Sequence, residues 1–384
     1  SGSPAFAGVL AALILAGGYA AWRSAARLEG LEAALRADRL LKTTADANPE
    51  EVDEAIALLQ TEAAHSPQHP IVRSRLGERL IDRYRLAAYA TFKKAAPATP
   101  PEQLWDRTDL GELYGHVMRL ERARRPADLD ALRAEPAVAA NLAPAKEELE
   151  AAARYGPLLP WPRIRLAQLA YLGDSSARQR RLLDAAQRMA PGDSEIAYRC
   201  GLVDYYANRP ERALASWRRS LEIEHKFFAP IFLSSHRWLG IRTTLDEALP
   251  PDAALLVRIA DSYFGQNSKT PEPARSADRG EILRQALAAL PKMPKGAAKA
   301  KTAALLYTLG NEPKLAEESF EEAISLAPHD WNMRLRYASL LESEKRYADA
   351  ARQAEIAYNL SSRNPTVGEH LARLERLAAR GRGP

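Results

Sequence analysis

Residues 297–330 read AAKAKTAALLYTLGNEPKLAEESFEEAISLAPHD. Two apolar helical stretches are joined here by a short turn, and the second carries Ala316 and Ala323, which leave room for an antiparallel neighbour. Phe320 lies between these alanines and would fill the space beside the pair. Pro328 ends the second helix because proline cannot donate a backbone hydrogen bond. The stretch therefore predicts two antiparallel helices in one unit.

The same pattern recurs along the chain in one register. A second unit follows at Trp331, and two more begin near Pro160 and Ser194. The residues at their small and bulky positions are Leu183, Ala186, Gly201, Ala213, Trp217, Ala350, Ala354 and Ala357. With Tyr307 in the first unit, this spacing resembles the tetratricopeptide repeat (TPR), a helix-turn-helix of about 34 residues. The resemblance implies an all-α, TPR-like right-handed helical solenoid.

The rest of the chain carries weaker copies and two departures from the pattern. Degenerate repeats begin near Arg36, Pro70 and Leu104, prolines interrupt the predicted helix between residues 125 and 144, and a polar loop is predicted at 265–277. The predicted organisation is a transmembrane anchor at 1–22, a juxtamembrane helix with degenerate repeats at 23–101, an irregular helical segment at 102–159, repeats at 160–227, an atypical helical pair with a long loop at 228–296, repeats at 297–364, and a capping helix and tail at 365–384.

Residues 5–22 form an uncharged apolar segment. As a helix it would be roughly 27 Å long at about 1.5 Å per residue, enough to cross a bilayer and contact membrane lipid. A signal peptide is the competing interpretation, but no basic stretch precedes the segment. Arg23 and Arg27 follow directly, so the positive-inside rule favours repeats in the cytoplasm, with the periplasm as the alternative. Because the alanine- and arginine-rich composition is typical of GC-rich bacteria, we expect a single-pass protein of a bacterial inner membrane.

The residue types that carry chemistry are sparse or scattered. Cys200 is the single cysteine, which excludes an intramolecular disulfide and a thiolate metal cluster. His65 and His69 are close in sequence, but Pro67 between them prevents the shared helix face that zinc ligands need. The sequence has no glycine-rich phosphate loop and no nucleophile elbow. We therefore expect no enzyme activity, no catalytic or metal-binding residue, no cofactor and no small-molecule substrate.

The balance of charge bears on possible partners. Lys and Arg total 54 and Asp and Glu total 49, which leaves a net charge of +5 that is spread along the chain. Proteins that bind nucleic acid concentrate their basic residues on one face. The sequence therefore does not predict nucleic-acid binding.

The resemblance to TPR proteins implies a concave groove lined by the first helix of each pair. In the two middle units, the positions that contact ligands in the family are Trp161, Ile164, Gln168, Tyr171, Glu195, Tyr198, Leu202, Tyr205 and Tyr206. Aromatic side chains bury a large area at low entropic cost, so this groove is a candidate binding site for a protein or peptide. The alternative is that several of these side chains pack between repeats.

The leading hypothesis is a membrane-anchored TPR scaffold that binds protein partners and performs no chemistry. A second hypothesis comes from a looser resemblance. An apolar helix, the exit at Trp22 and Arg23, and a divergent alanine-rich repeat domain look like the C-terminal portion of O-antigen ligase or polymerase-like proteins. The chain would then be an appendage of a glycan-transferring membrane enzyme, without its catalytic residues. The TPR family's Lys and Asn clamp for a terminal carboxylate is not matched, because Lys301 stands alone.

Overall fold

The computed structural model describes residues 29–39, 48–100, 110, 113, 115, 117, 126–264 and 272–380. All regular secondary structure in these ranges is helical, which confirms the predicted all-α fold for them. The chain divides into two compact units, Ser1–Ile223 and Glu224–Pro384, and each builds its own helix pairs.

The first unit contains helical residues 29–39 and a series of helix pairs. Its further helices are α1 (Pro49–His65), α2 (Pro70–Ala95), α3 (Pro126–Arg133), α4 (Ala143–Tyr155), α5 (Pro160–Gln168), α6 (Ser176–Met189), α7 (Ser194–Tyr206) and α8 (Pro210–Ile223). A π-helical turn (Val138–Leu142) precedes α4, and a 3-10 turn (Ala170–Leu172) follows α5. The pairs α1–α2, α5–α6 and α7–α8 pack antiparallel across short turns, and α2 also packs on α4.

Proline and polar caps decide where these helices begin. Pro49 opens α1 behind Asn48, whose side chain accepts a hydrogen bond from a backbone N–H of the first turn at 3.2 Å. Asp193 caps α7 in the same way. Pro126 and Pro144 were expected to interrupt a helix, but they lie in the first turns of α3 and α4. Helix α4 follows the π-helical turn Val138–Leu142 directly, so the helical backbone continues through Pro144.

Small residues allow close helix contact in the first unit. Buried aliphatic side chains from α1, α2 and α4 contribute to one cluster of its core, and side chains from α5, α6 and α7 form another. Gly77 in α2 faces α4, where a Cβ at this position would lie 2.7 Å from Cγ of Leu149. Gly201 in α7 faces α8, where a Cβ would lie 2.5 Å from Nε1 of the fully buried Trp217. Only glycine leaves enough space for these neighbours.

The second unit repeats this arrangement. Its helices are α9 (Phe228–Thr243), α10 (Ala253–Phe264), α11 (Glu272–Ala289), α12 (Ala297–Leu309), α13 (Pro313–Leu326), α14 (Trp331–Ser343), α15 (Tyr347–Leu360) and α16 (Pro365–Arg380). The pairs α10–α11, α12–α13 and α14–α15 pack antiparallel, and α16 packs on α15. Helix α11 begins at Glu272, so the end of the predicted loop at 265–277 is helical, and residues 265–271 lie outside the described ranges.

One turn geometry recurs within pairs of both units. Asn208, Asn311 and Lys345 adopt left-handed φ angles of 57°, 59° and 64° at the end of the first helix of their pair. In each turn, the N–H of the next residue donates to the carbonyl five residues earlier at 2.9 Å. This bond satisfies a carbonyl at the helix end and fixes the reversal of the chain. The resulting helix pairs are TPR-like.

The predicted localisation needs correction. In the part of the chain that the structure describes, no helix is both long enough and apolar enough to cross a bilayer. The longest helices there, α2 and α11, carry charged residues along their length. This finding contradicts the prediction of a single-pass bacterial inner-membrane protein. Residues 1–22, which include the predicted lipid contact at 5–22, lie outside the described ranges.

Candidate functional site

The predicted groove residues lie on or beside α5 and α7, the first helices of two pairs, and three of them are buried. Ile164, Gln168 and Tyr171 are 0%, 3% and 3% exposed. Helix α5 ends at Gln168, so Tyr171 falls in the following 3-10 turn and does not continue the helix face. Burial raises the pKa of the Tyr171 hydroxyl above its usual range. A side chain buried in the core cannot contact a partner, so these three residues leave the candidate surface.

The other six predicted residues remain partly exposed. They are Trp161, Glu195, Tyr198, Leu202, Tyr205 and Tyr206. The ring of Tyr205 lies 5.5 Å from that of Trp217 and 5.2 Å from that of Tyr206, measured between centroids. Tyr205 therefore packs against its neighbours and still presents part of its surface.

A groove of about 530 Å³ lies in the first unit and includes Trp161 and Glu195 in its wall. Its charged lining residues are Arg75, Glu78, Arg79, Asp82, Arg85, Arg165, Glu195 and Arg199. Its apolar lining residues include Ile71, Ile81, Leu159, Trp161 and Pro162. Five arginines against three carboxylates give the lining an excess of positive charge. We call this surface the arginine groove.

Sequence reasoning missed the arginines of this groove. Arg75, Arg165 and Arg199 each occupy the sixth position of the repeat unit to which they belong. The sixth position is not among the contact positions that the TPR resemblance supplied, although an arginine recurring there was a visible signal. The register alone does not show that three units bring these side chains to one groove.

Several of these charges are paired within the first unit. Arg75 contacts Glu78 at 2.6 Å and Asp38 at 3.2 Å, and Arg79 contacts Asp82 at 2.8 Å. Burial raises the pKa of the Asp82 carboxyl, and the neighbouring Arg79 opposes that shift. Such charge-assisted hydrogen bonds orient the guanidinium groups.

Two arginines of the groove are paired less completely. Arg165 donates to Oε1 of Gln168 at 3.0 Å, and among the described residues no carboxylate lies within ion-pairing distance of it. Arg199 contacts Glu195 at 3.4 Å. The Nε atoms of Arg79, Arg165 and Arg199 are buried and find no hydrogen-bond partner within the described ranges. The groove therefore holds two partly exposed arginines, Arg165 and Arg199, that are less completely paired than Arg75 and Arg79.

A second groove, of about 1110 Å³, lies in the second unit between α12, α14 and α16. Glu342 in its wall contacts Arg373 at 2.7 Å and His370 at 3.5 Å. Burial, and then the charge of Arg373, lower the pKa of His370. Its lining has two arginines and three glutamates, so it lacks the excess of arginine over carboxylate that the arginine groove has.

The reactive side chains named from the sequence have local roles. Cys200 is buried, and burial raises the pKa of its thiol to about 12, which keeps it protonated. Nδ1 of His65 lies 2.8 Å from the carbonyl of Thr61, and Nδ1 of His69 accepts from the N–H of Val72 at 3.3 Å. Across the described ranges, no group of three His, Cys, Asp or Glu side chains could hold a metal ion.

No protein-family model matches the sequence, and no curated protein matches it. Among solved structures, yeast Tom70 is similar at a TM-score of 0.31 and 11% identity, over 87% of this chain and 86% of that chain. The APC/C hetero-tetramer Cut9-Hcn1 is similar at 0.30 and 12% identity, over 86% and 61%. Naa15/Naa10 bound to HypK is similar at 0.29 and 16% identity, over 88% and 59%. TM-scores this low support no conclusion, so fold and function rest on the geometry above.

Proposed function

We propose that this protein is a TPR-like scaffold that binds protein partners through the first helices of its pairs. The observation that carries the proposal is a set of partly exposed aromatic side chains, Trp161, Tyr198 and Tyr205, on α5 and α7 of the unit that holds the arginine groove. Aromatic and arginine side chains contribute much of the binding energy in protein interfaces. Trp161 lines the arginine groove, so one aromatic side chain lies beside its arginines. This combination is suited to a protein or peptide, and binding requires no catalytic group.

The fixed geometry of α7 and α8 supports this proposal. The left-handed turn at Asn208 joins the two helices, Gly201 lets Trp217 approach closely, and Tyr205 packs on the Trp217 ring. A surface already held in one conformation loses less entropy on binding than one that becomes ordered with its partner. The repeats therefore supply a preorganised binding surface.

The test compares partner binding with stability in the full chain. If Tyr205 contacts partners, Tyr205→Ala should weaken their binding by about 1–3 kcal/mol, as loss of an aromatic anchor does. Tyr155→Ala is the matched control, because Tyr155 is an exposed tyrosine at the end of α4 in the same unit and is not one of the predicted contact residues. Quantitative affinity capture of partners by wild type and both variants gives the first measurement, and thermal melts give the second.

The two readouts separate binding from packing. Selective loss of partners with a nearly unchanged melting temperature supports the scaffold proposal. A packing residue would instead lose about 3–5 kcal/mol of stability on truncation, and any binding defect would follow unfolding. A large loss of stability without selective loss of a partner would contradict the role of Tyr205 in binding.

The alternative function, an appendage of an O-antigen ligase or polymerase-like enzyme, stays a prediction from resemblance. Its support lies in the apolar N-terminal segment, which is outside the described residues. The contacts in the arginine groove do not depend on it, so the scaffold proposal stands without that enzyme.

A further inference from the structure

We infer that the arginine groove binds an acidic peptide segment that also carries apolar residues. The inference rests on the scaffold function proposed above and specifies the chemistry of the partner. Its basis is the convergence of Arg75, Arg165 and Arg199, the sixth residues of three separate repeat units, on one groove. The positive lining of this groove is complementary to carboxylates.

Exposure decides which arginines of the groove a partner can reach. Arg79 is 9% exposed and forms ion pairs with Asp38 and Asp82 inside the folded chain. Arg165 and Arg199 are partly exposed. Their Nε atoms are buried, so a carboxylate of a partner would bind the outer Nη donors of these two guanidinium groups.

Arg165 is the best placed to make the first contact. Its Nη1 donates to the neutral side chain of Gln168 at 3.0 Å, whereas Arg75 and Arg79 have carboxylate partners. A guanidinium can bind a carboxylate through two parallel N–H donors, which adds both strength and orientation. The charge of Arg165 opposes the rise in the pKa of Asp82, but among the described residues its hydrogen bond goes only to neutral Gln168, so it is the groove arginine most available to a glutamate or aspartate of the partner.

The carboxylates in the groove favour a peptide over a nucleic acid. Glu78, Asp82 and Glu195 line the groove together with the arginines, and a continuous phosphate backbone would place negative charges against them. A peptide can set separate acidic residues opposite Arg165 and Arg199 and place apolar residues between them. The walls that would receive the apolar residues include Ile81, Leu159, Trp161 and Pro162.

Fluorescence anisotropy with the full chain tests the inference. The probe is a short labelled peptide of alternating glutamate and leucine with both ends blocked, so that binding does not depend on a terminal carboxylate. Arg165→Gln should weaken probe binding about tenfold or more, because it removes the charge and the paired donors. Arg181→Gln is the matched control on the exposed surface of α6 and should change the affinity less than about twofold.

A second variant and two further probes make the test decisive. Arg199→Gln should also weaken binding, and it replaces Arg165→Gln if that variant lowers the melting temperature. A peptide with glutamine in place of every glutamate should bind about tenfold more weakly or worse, since it lacks the carboxylates. Equal binding of the two peptides would overturn the inference. Stronger binding of a single-stranded oligonucleotide of the same net charge would also overturn it, in favour of nucleic acid.

The outcome distinguishes this inference from the scaffold function. If partner capture remains sensitive to Tyr205→Ala while the acidic probe fails to bind, the acidic-peptide inference is wrong and the scaffold function stands. If neither captured partners nor the probe respond to substitutions in the first unit, both are wrong. Specific binding of the probe that requires Arg165 supports both.

Discussion

The pair α7–α8 of the first unit and the pair α12–α13 of the second follow the same repeat spacing, but they place residues of different size at two buried positions. The eighth position of the repeat is Gly201 in the first pair and Ala304 in the second. The bulky residue of the following helix is Trp217 in the first pair and Phe320 in the second. All four residues are buried. Because a Cβ at Gly201 would lie 2.5 Å from Nε1 of Trp217, the larger ring requires the smaller partner. Such a repeat therefore constrains the combined volume of these two positions more than the size of either residue alone.

The two units also differ in how polar side chains hold the turn within a pair. Asp204 near the end of α7 is 1% exposed and accepts hydrogen bonds from Nε of Arg209 at 2.6 Å and Nε of Arg212 at 3.3 Å. In α14–α15, the arginine at the same repeat position as Arg209 is Arg346, which contacts the partly exposed Glu317 at 2.8 Å. Breaking a buried ion pair leaves a charge without compensation, whereas an exposed pair contributes little.

The largest loss of stability is expected from removing Asp204, the buried carboxylate that Arg209 and Arg212 share. Asp204→Ala should lower the free energy of unfolding by about 3–5 kcal/mol, because Arg209 and Arg212 lose their shared carboxylate. Asp184→Ala is the control, since Asp184 also contacts Arg212, at 2.5 Å, but its side chain is 39% exposed. The control should cost less than about 1 kcal/mol. Urea unfolding of the full chain measures both, and equal losses would remove the contrast between buried and exposed pairs.

A smaller loss of stability is expected from enlarging Gly201 beside Trp217. Gly201→Ala should cost about 1–3 kcal/mol of unfolding free energy by overpacking against Trp217. Adding Trp217→Phe should recover part of this loss, because it recreates the combination of Ala304 and Phe320 and removes an indole N–H that is buried without a partner in the described ranges.

A double-mutant cycle on urea unfolding measures this coupling between the two positions. Gly280→Ala in α11 is the control, since a Cβ there would meet nothing within 4 Å. That substitution should stabilise the helix by about 0.5–1 kcal/mol. Strictly additive losses for Gly201→Ala and Trp217→Phe would show that their volumes are not linked.

The regular pairs were the most predictable part of the fold. Helices α12 to α15 lie within the units that the register predicted, and Ala316, Phe320 and Ala323 are fully buried. Their contacts are made within a pair or to the next one, so a single repeat already contains the pattern. Pro144 was expected to interrupt a helix, but the helical backbone continues through it after a π-helical turn. Helices α2 and α4 pack on each other although they lie far apart in the sequence, so the local pattern did not predict this contact.

The candidate site was harder to predict for the same reason. The repeat register placed Ile164 and Tyr171 on the binding face, but the early end of α5 and the surrounding core bury both. The arginine groove takes its residues from three units, so no single repeat contains it. The sequence gives the residue type of Arg165, but only the structure shows that this side chain donates its hydrogen bond to Gln168 and not to a carboxylate.

The smallest expected effect concerns the exposed pair of Arg346 and Glu317. The hydrogen bond from Arg346 lowers the pKa of the Glu317 carboxyl below its usual range. A carboxyl with a depressed folded pKa stabilises the protein above its unfolded pKa, and this contribution is lost as the pH falls through the folded pKa. Glu317→Gln should therefore cost about 0.2–1 kcal/mol of unfolding free energy at neutral pH.

Acid should abolish the difference between wild type and Glu317→Gln. Once the pH falls below the depressed folded pKa of Glu317, the glutamate is neutral, so its interaction with Arg346 becomes similar to that of glutamine. Urea unfolding of both proteins at neutral and acidic pH measures the change. A difference that persists in acid would assign Glu317 to packing or to its hydrogen bond from Tyr337 at 2.9 Å, since neither depends on the negative charge in the same way. A loss at neutral pH as large as that of Asp204→Ala would instead show that exposure does not separate the two kinds of pair.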